Sequence, residues 1–536
     1  MKKLPLIAAI TGVLACANAH AYSLNFTLSH EWTFNHTAAN GSSSMGSEIV
    51  SYDTANNRLW VIGTDANQAN VGKGGIDVLD MSGNLVHSVA LDNLGVNSVA
   101  VKNGQAAVAT TGTSKLSPGA VRFYDTATYA QQAQVTVGAN PDAVTYTPDG
   151  SRLLVANEGE PLDYTGSPDP AGSISIINTT TFASQTAGFT SFDGQEVALK
   201  AAGVRLNGPT TNVSQNVEPE YIAVSQDGAT AFATLQEANA IAKIDIASAT
   251  VTGIVSMGLK DHSLPGNGLD VSDRDGTGNN PLNGNIQNWK VSGLYMPDGI
   301  ASFTDSGNQF YVTANEGDAR SDWPGFTDEV RVINASIDPV LNAALVAAHG
   351  SDWRTNNDKL NRLTVSTSGD TDGDGDLDRL EAYGGRSFSI LDDSGSIVFD
   401  SGDQIEQIIK ASYPALWDDS RSDNKGPEPE SAVVGTFFNK NVLFLGLERS
   451  NAVMMWDISN LANIHFIDML FTAGDIGPEG LNFFSNNTGS YLAVANEVSE
   501  TTSLYKIQAV PEPTSLWLFG TASLVAALRF ARRRVG

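Results

Sequence analysis

The sequence predicts an all-β chain, a seven-bladed β-propeller of the WD40/YVTN kind carrying long insertions between its strands. Three observations predict it: a strand-turn-strand pattern that recurs seven times, 51 glycines among 536 residues, and turn signals separating short alternating runs. The clearest unit is 216–257, NVEPEYIAVSQDGATAFATLQEANAIAKIDIASATVTGIVSM. It reads as an alternating strand, an Asp-Gly turn, a second strand, a third ending in Asp245, and a fourth.

In chain order the same grammar appears in GSEIVSYDTANNRLWVIGTDAN, GVNSVAVKNGQAAVATTG and NPDAVTYTPDGSRLLVANEGE before that unit. It returns after it in MPDGIASFTDSGNQFYVTANEGD, PEPESAVVGTFFNKNVLFLGLERSNAVMMWDIS and GPEGLNFFSNNTGSYLAVANEVSETTSLYKI. The last unit ends after its third strand, so SLNFTLSHEWTF near the N-terminus is expected to supply the missing outer strand and close the ring.

Three insertions interrupt the repeat, at about 183–215, 258–295 and 317–385. The second holds the acidic loop LDVSDRDG; the third, which splits the fifth unit, holds a predicted helix, DPVLNAALVAAHG, and the stretch DTDGDGDLDRLE. That stretch has the spacing of a calcium loop. Its expected ligands are the side chains of Asp370, Asp372, Asp374 and Glu381, the carbonyl of Asp376, and Asp378 directly or through water. Neither flank is long enough for a sensor's helix, so the loop is expected to brace the insertion with bound Ca2+.

Acids recur at matched positions. Glu48, Asp142, Glu220, Asp298, Glu430 and Glu479 open the first strands, where the second unit has Ser98. Asp65, Glu158, Glu237, Glu316, Glu448 and Glu497 close the second strands. In a propeller the first strands line the central channel, so both sets are expected to converge near one mouth. Grouped carboxylates need protons or a bound cation to offset their repulsion. Taken singly, each could instead cap a turn.

The formal net charge of -28 argues against a nucleic-acid partner, which needs a basic footprint, and favours cations or neutral ligands. Residues 1–21 read as a secretory signal with the small-x-small site Ala19-His20-Ala21; VLAC, with Cys16, also resembles a lipoprotein box. Cys16 is the only cysteine, so cleavage at Ala21 leaves neither disulfide nor thiol chemistry. Seven scattered histidines offer no His-Glu-x-x-His zinc site. The serines have no local histidine partner, and no nucleophile elbow or phosphate-cradling loop is present.

The C-terminal segment 510–536 combines Pro511-Glu512-Pro513, a short apolar run and an arginine cluster. It resembles the PEP-CTERM sorting signal of Gram-negative bacteria that make exopolysaccharide, which implies recognition by an exosortase. A plain membrane anchor is the other reading of the apolar run. Residues 22–508 would be the domain between these signals. Tyr52-Asp53, Arg58-Leu59-Trp60-Val61, Val96-Asn97-Ser98, Asn157-Glu158-Gly159-Glu160-Pro161, Asn315-Glu316-Gly317-Asp318-Ala319-Arg320, Arg386-Ser387-Phe388 and Gly426-Pro427-Glu428-Pro429-Glu430 carry a further likeness. In these motifs the chain resembles the choice-of-anchor I family of exported bacterial propeller-like proteins, whose relatives are described as mesenchyme-surface-glycoprotein-like or alkaline-phosphatase-like.

The resemblance implies fold and surface location, and no catalytic set. Two functions stay open. One is a non-enzymatic, calcium-braced surface or matrix protein that binds exopolysaccharide or a surface protein. The other is a calcium-dependent phosphoester hydrolase of the phytase or alkaline-phosphatase kind, with Arg320, Arg386 and Arg449 as phosphate clamps.

Overall fold

The computed structural model describes residues 26–509 apart from 45, 65–73, 92–93, 211, 277–283 and 322–323. The expected signal peptide, Asp65 and the tail from residue 510, with Pro511, Glu512 and Pro513, lie outside the described residues.

Among the described residues there are seven four-stranded antiparallel sheets, numbered here in chain order. Sheet 1 is Ile49–Asp53, Arg58–Thr64, Gly74–Asp80 and Leu85–Ala90; sheet 2 is Val96–Lys102, Gln105–Thr110, Pro118–Asp125 and Gln131–Ala139. Sheet 3 is Pro141–Tyr146, Arg152–Asn157, Ser173–Asn178 and Ser184–Gly188; sheet 4 is Pro219–Val224, Thr230–Leu235, Ala240–Asp245 and Thr250–Ser256. Sheet 5 is Ile300–Asp305, Asn308–Asn315, Ser387–Asp392 and Ile397–Asp400; sheet 6 is Pro429–Phe437, Lys440–Leu447, Ala452–Asp457 and His465–Leu470. Sheet 7 is Pro478–Asn486, Gly489–Asn496 and Thr501–Ala509, with Phe26–Asn35 as its outer strand. That N-terminal strand runs antiparallel to Thr501–Ala509, from Phe26 opposite Ala509 to Asn35 opposite Thr501.

Each first strand lies against the first strand of the next sheet, and the first strand of sheet 7 lies against that of sheet 1. All seven line one cavity of about 410 Å³. The apolar core is divided in the same way. Trp60, Ile62 and Val78 of sheet 1 pack on Val96, Val108 and Tyr124 of sheet 2. Corresponding clusters fill every later junction, ending with Leu59 and Val61 of sheet 1 against Tyr491 and Leu504 of sheet 7. This explains why the second strands read as apolar runs: Leu59, Trp60, Val61 and Ile62 are all fully buried, because both faces of each sheet are covered.

Local chemistry fits these hairpins. Asn103 and Gly104 both have positive φ, 50° and 78°, as a tight two-residue turn between twisted strands requires. Acids at the ends of third strands are consumed by the turns that follow. Asp125 accepts from the backbone of Ala127 and Thr128, and Asp392 from that of Ser394 and Ser396.

The insertions depart from expectation in two ways. The excursion expected at 183–215 starts later, because Ser184–Gly188 pairs with Ser173–Asn178 as the fourth strand of sheet 3. The other two excursions do not stand apart. They share a five-stranded sheet in the order Leu259–Asp261, Ser292–Leu294, Glu381–Ala382, Thr364–Ser366, Glu329–Arg331. Its parallel pair, Ser292–Leu294 with Glu381–Ala382, joins the two excursions. Beneath it lies a separate core with Trp289, Leu345, Trp353, Leu360 and Leu380. The predicted helix is present as Pro339–His349, begun by Asp338, whose side chain accepts from the backbone of Val340 and Leu341. Lys260 anchors this unit to sheet 5: its buried Nζ donates to the Gly385 and Gly402 carbonyls at 2.8 Å and lies 3.0 Å from Asp400.

Candidate acidic cation site

Five first strands are entered through a proline followed by an acid: Pro141-Asp142, Pro219-Glu220, Pro297-Asp298, Pro429-Glu430 and Pro478-Glu479. Just past four of these prolines the pairing shifts, between Pro141 and Val144, Pro219 and Ile222, Pro429 and Ala432, and Pro478 and Leu481. Such bulges turn a side chain out of the regular alternation, here the acid. Where the second strand ends, the Glu158 amide donates to the Asn140 carbonyl at 3.0 Å, Glu448 to Glu428 at 3.0 Å, and Glu497 to Gly477 at 2.8 Å. These three second-strand acids are therefore set beside the entries of their own first strands.

Members of the two predicted sets come together. One carboxylate oxygen from each of Asp142, Glu158 and Glu220 lies within 4.8 Å of the others, and the same holds for Glu316, Glu428 and Glu448. Desolvation, with repulsion from Glu497, pushes Glu48 up to about 8. Desolvation and Glu160 push Asp142 up to about 7. Glu448 also rises to about 7, with Arg449 opposing. Glu158, Glu220, Glu237, Asp298, Glu430 and Glu479 stand well above the ordinary carboxyl range, through desolvation first and neighbouring carboxylates second. Glu316 and Glu497 are raised as well. Glu237, Glu430 and Glu479 each keep one buried oxygen without a hydrogen-bond partner.

Sequence reasoning named Arg449 at this face, as a phosphate clamp, but missed Lys425, Arg421, Lys115 and further acids. Lys425 Nζ lies 3.3 Å from Glu316 and 3.0 Å from Asp318. Arg449 bridges Glu428 at 3.1 Å and Glu448 at 3.0 Å, Arg421 also meets Glu428, and Lys115 meets Glu160 at 2.7 Å. The repeated Glu-Pro-Glu of Glu218-Pro219-Glu220 and Glu428-Pro429-Glu430 was the available signal for the additional acids.

Two expected phosphate clamps are closed. Arg386 is 2% exposed and donates to Glu406 at 2.9 Å and to the carbonyls of Asp270, Ser422 and Asn424. Arg320 is 1% exposed and donates to Glu218 and the Asn216 carbonyl. Both braces leave no open guanidinium face.

The calcium-like loop is only partly gathered. Asp370, Asp372 and Asp374 bring carboxylate oxygens within 4.8 Å of one another, and Asp370 accepts from the amides of Gly373 and Gly375 at 2.7 and 3.0 Å. Asp376 and Asp378 instead form a group with Asp338, and Asp378 accepts from the Thr371 amide and hydroxyl. Glu381, expected to close the ligand set, is 1% exposed and receives Ser368 and Arg379. The physical reason is local: the chain enters strand Glu381–Ala382 directly, and strand pairing directs Glu381 inward rather than back over the loop.

One serine does meet a histidine. Ser44 Oγ lies 2.8 Å from His36 Nδ1, and Asp77 Oδ2 lies 2.7 Å from the same nitrogen. Serine and aspartate share one ring nitrogen, Thr502 holds the other, and Ser44, His36 and Asp77 are at most 1% exposed. This is a clamp joining the N-terminal segment to sheets 1 and 7, without the geometry of a nucleophile.

The choice-of-anchor I domain model matches residues 48–461, and the PEP-CTERM protein-sorting motif matches 509–534. Among curated proteins the chain is similar to Gigasin-3a of Magallana gigas, 35% identical over 115 residues covering 19% of this chain and 40% of that protein. It is also similar to the mesenchyme-specific cell surface glycoprotein of Strongylocentrotus purpuratus, 26% identical over 271 residues, covering 43% of this chain and 34% of that protein. The matches thus span well under half of either relative. Solved structures that overlap include a chain of Kuenenia stuttgartiensis hydrazine synthase, TM-score 0.47 at 12% identity, covering 88% of this chain and 98% of that one. A chain of the mitotic checkpoint complex overlaps with TM-score 0.43 at 9% identity, covering 94% and 95%. Neither overlap is close enough to bear on fold or chemistry. With its domain matched over 48–461 and its tail over 509–534, the chain belongs to the choice-of-anchor I family and is an exported, exosortase-processed surface protein of Gram-negative-type bacteria.

Proposed function

We propose that the seven sheets are blades of one closed β-propeller and that the protein is a non-enzymatic, calcium-braced surface or matrix component. Its acidic channel mouth binds exopolysaccharide or a surface protein through bound cations. The observation that carries this reading is the convergence of Asp142, Glu158 and Glu220 in a poorly solvated face whose nearest base, Lys115, pairs with Glu160; Glu316, Glu428 and Glu448 also converge, with Lys425, Arg421 and Arg449 already paired to them. Such a set is stable only when protons or cations offset its charge, and outside the cell a hard divalent cation with oxygen ligands is at hand. The donors present, all carboxylate oxygens, fit Ca2+. Asp370, Asp372 and Asp374 would hold another ion and brace the long insertion.

The hydrolase reading is less well supported. It needs cationic groups free to grip a phosphate, whereas Arg320 and Arg386 are spent on internal partners. The test is an assay of the full chain on a chromogenic phosphomonoester and on phytate, with calcium and with chelator, beside its thermal unfolding under both conditions. No turnover together with a calcium-dependent rise in Tm is the expected result. Calcium-dependent turnover lost in E220Q or E430Q would overturn the binding reading.

A further inference from the structure

We infer that a hard divalent cation binds between Asp270, Asp275 and Asp419, stitching the second excursion to the segment that leads into sheet 6. One carboxylate oxygen of each lies within 4.8 Å of the others, and the three residues are 0%, 2% and 6% exposed. Asp275 Oδ1 is buried and has no hydrogen-bond partner, so a carboxylate oxygen stands bare among two other carboxylates. A buried oxygen of this kind is costly unless something positive meets it.

The remaining contacts leave room for that something. Asp270 accepts from the amides of Ser272 at 3.3 Å and Asn285 at 2.9 Å, and Asp419 accepts from Trp417 Nε1 at 3.2 Å. The nearby arginines are committed elsewhere: Arg362 to Asp273 at 2.6 Å, and Arg331 to Asp423 at 2.5 Å. Lys410, whose charge acts on Asp275, donates its Nζ to the Gly284 carbonyl, and among the described residues no basic side chain forms an ion pair with any of the three carboxylates. Desolvation disfavours the charged form of all three, and repulsion adds to it, from Asp275 on Asp270, from Asp419 on Asp275 and from Asp273 on Asp419. Three buried carboxylates are a donor set for Ca2+ or Mg2+, the larger ion being favoured by a site made from separate loops.

The site lies apart from both the channel mouth and the calcium-like loop, and it has its own reporter. The Trp417 indole touches Asp419, so Tb3+ placed there would be sensitised by tryptophan excitation. The test is Tb3+ luminescence of the full chain with Ca2+ or Mg2+ competition, compared in D275N, D419N, W417F and D372N. Loss of one carboxylate in D275N or D419N is expected to weaken the ion about tenfold or more, since affinity follows ligand charge. W417F is expected to lose the sensitised signal while calorimetry still counts the same number of Ca2+ ions. D372N is expected to keep the signal. Emission and Ca2+ stoichiometry unchanged in both D275N and D419N would overturn the site. Should D275N fail to fold, W417F decides the matter, because it leaves all three carboxylates in place.

Discussion

Arg320 Nη1 and Glu218 lie 2.6 Å apart with both side chains 2% exposed, although one follows the second strand of sheet 5 and the other precedes sheet 4. The pair fastens the start of the largest insertion to the segment that enters sheet 4. Removing one member of such a buried pair strands the other's charge. Arg320→Met is therefore expected to lower unfolding free energy by about 3–5 kcal/mol, read from denaturant midpoints. Adding Glu218→Gln should recover part of the loss; equal loss in single and double variants would contradict a paired role.

Stability should depend on pH in a direction set by the raised carboxyls. Glu48 at about 8, Asp142 at about 7 and Glu448 at about 7 bind protons in the folded chain that the unfolded chain releases near its ordinary values of 4.5, 3.8 and 4.5. The folded state thus binds more protons across that window, and its stability is full below it and falls as pH rises through 7 to 8. In chelator, Tm is expected to drop from pH 5 to pH 8. Calcium should flatten the slope, and an identical slope with and without calcium would count against a cation at the mouth.

Glu430 isolates the cost of one ring charge. It has a buried oxygen without a partner and stands near Glu479, Glu316 and Glu448. Glu430→Gln should raise stability in chelator by about 1 kcal/mol, the worth of roughly one pKa unit, and shrink the Tm gain from calcium. Differential scanning calorimetry at pH 8 in both conditions checks it.

Asp77 titrates in the opposite sense. His36, Ser42, Ser44, Ser88 and the Ser43 amide all serve its carboxylate, which is held below the ordinary range by these contacts against its desolvation. Its stabilisation is present above about pH 4 and is lost as pH falls further. Asp77→Asn is expected to cost about 1–3 kcal/mol, the range for leaving buried hydrogen-bonding groups without their partner. Urea unfolding at pH 7 measures the cost, and a loss well under 1 kcal/mol would show that the N-terminal clamp matters little.

Much of the fold was legible because the signals are local. Alternation marks each hairpin within about ten residues, Asn103-Gly104, Asp149-Gly150 and Asp227-Gly228 mark three of the turns outright, and Asn103-Gly104 takes the backbone that its composition implies. The closeness of Asp142, Glu158 and Glu220 was legible for the same reason, since they hold matched positions in neighbouring repeated units. The shared five-stranded sheet was not. Its strands are two or three residues long, too short to carry a period, and Ser292–Leu294 finds Glu381–Ala382 across a long stretch of chain. Glu381 has the spacing of a ligand, while its backbone belongs to a strand that sequence spacing does not reveal.

The amino-acid sequence by itself determined the repeat, the all-β class, the acidic balance and the sorting motif, each written in neighbouring residues. Tertiary structure alone decided which charges meet. Arg320 and Arg386 read as open clamps in one dimension but are internal braces, and Asp270, Asp275 and Asp419 become one group across loops with no common motif. The reason is physical: side-chain period and turn type depend on adjacent backbone, whereas a carboxylate's partner depends on burial and on segments that only packing brings near.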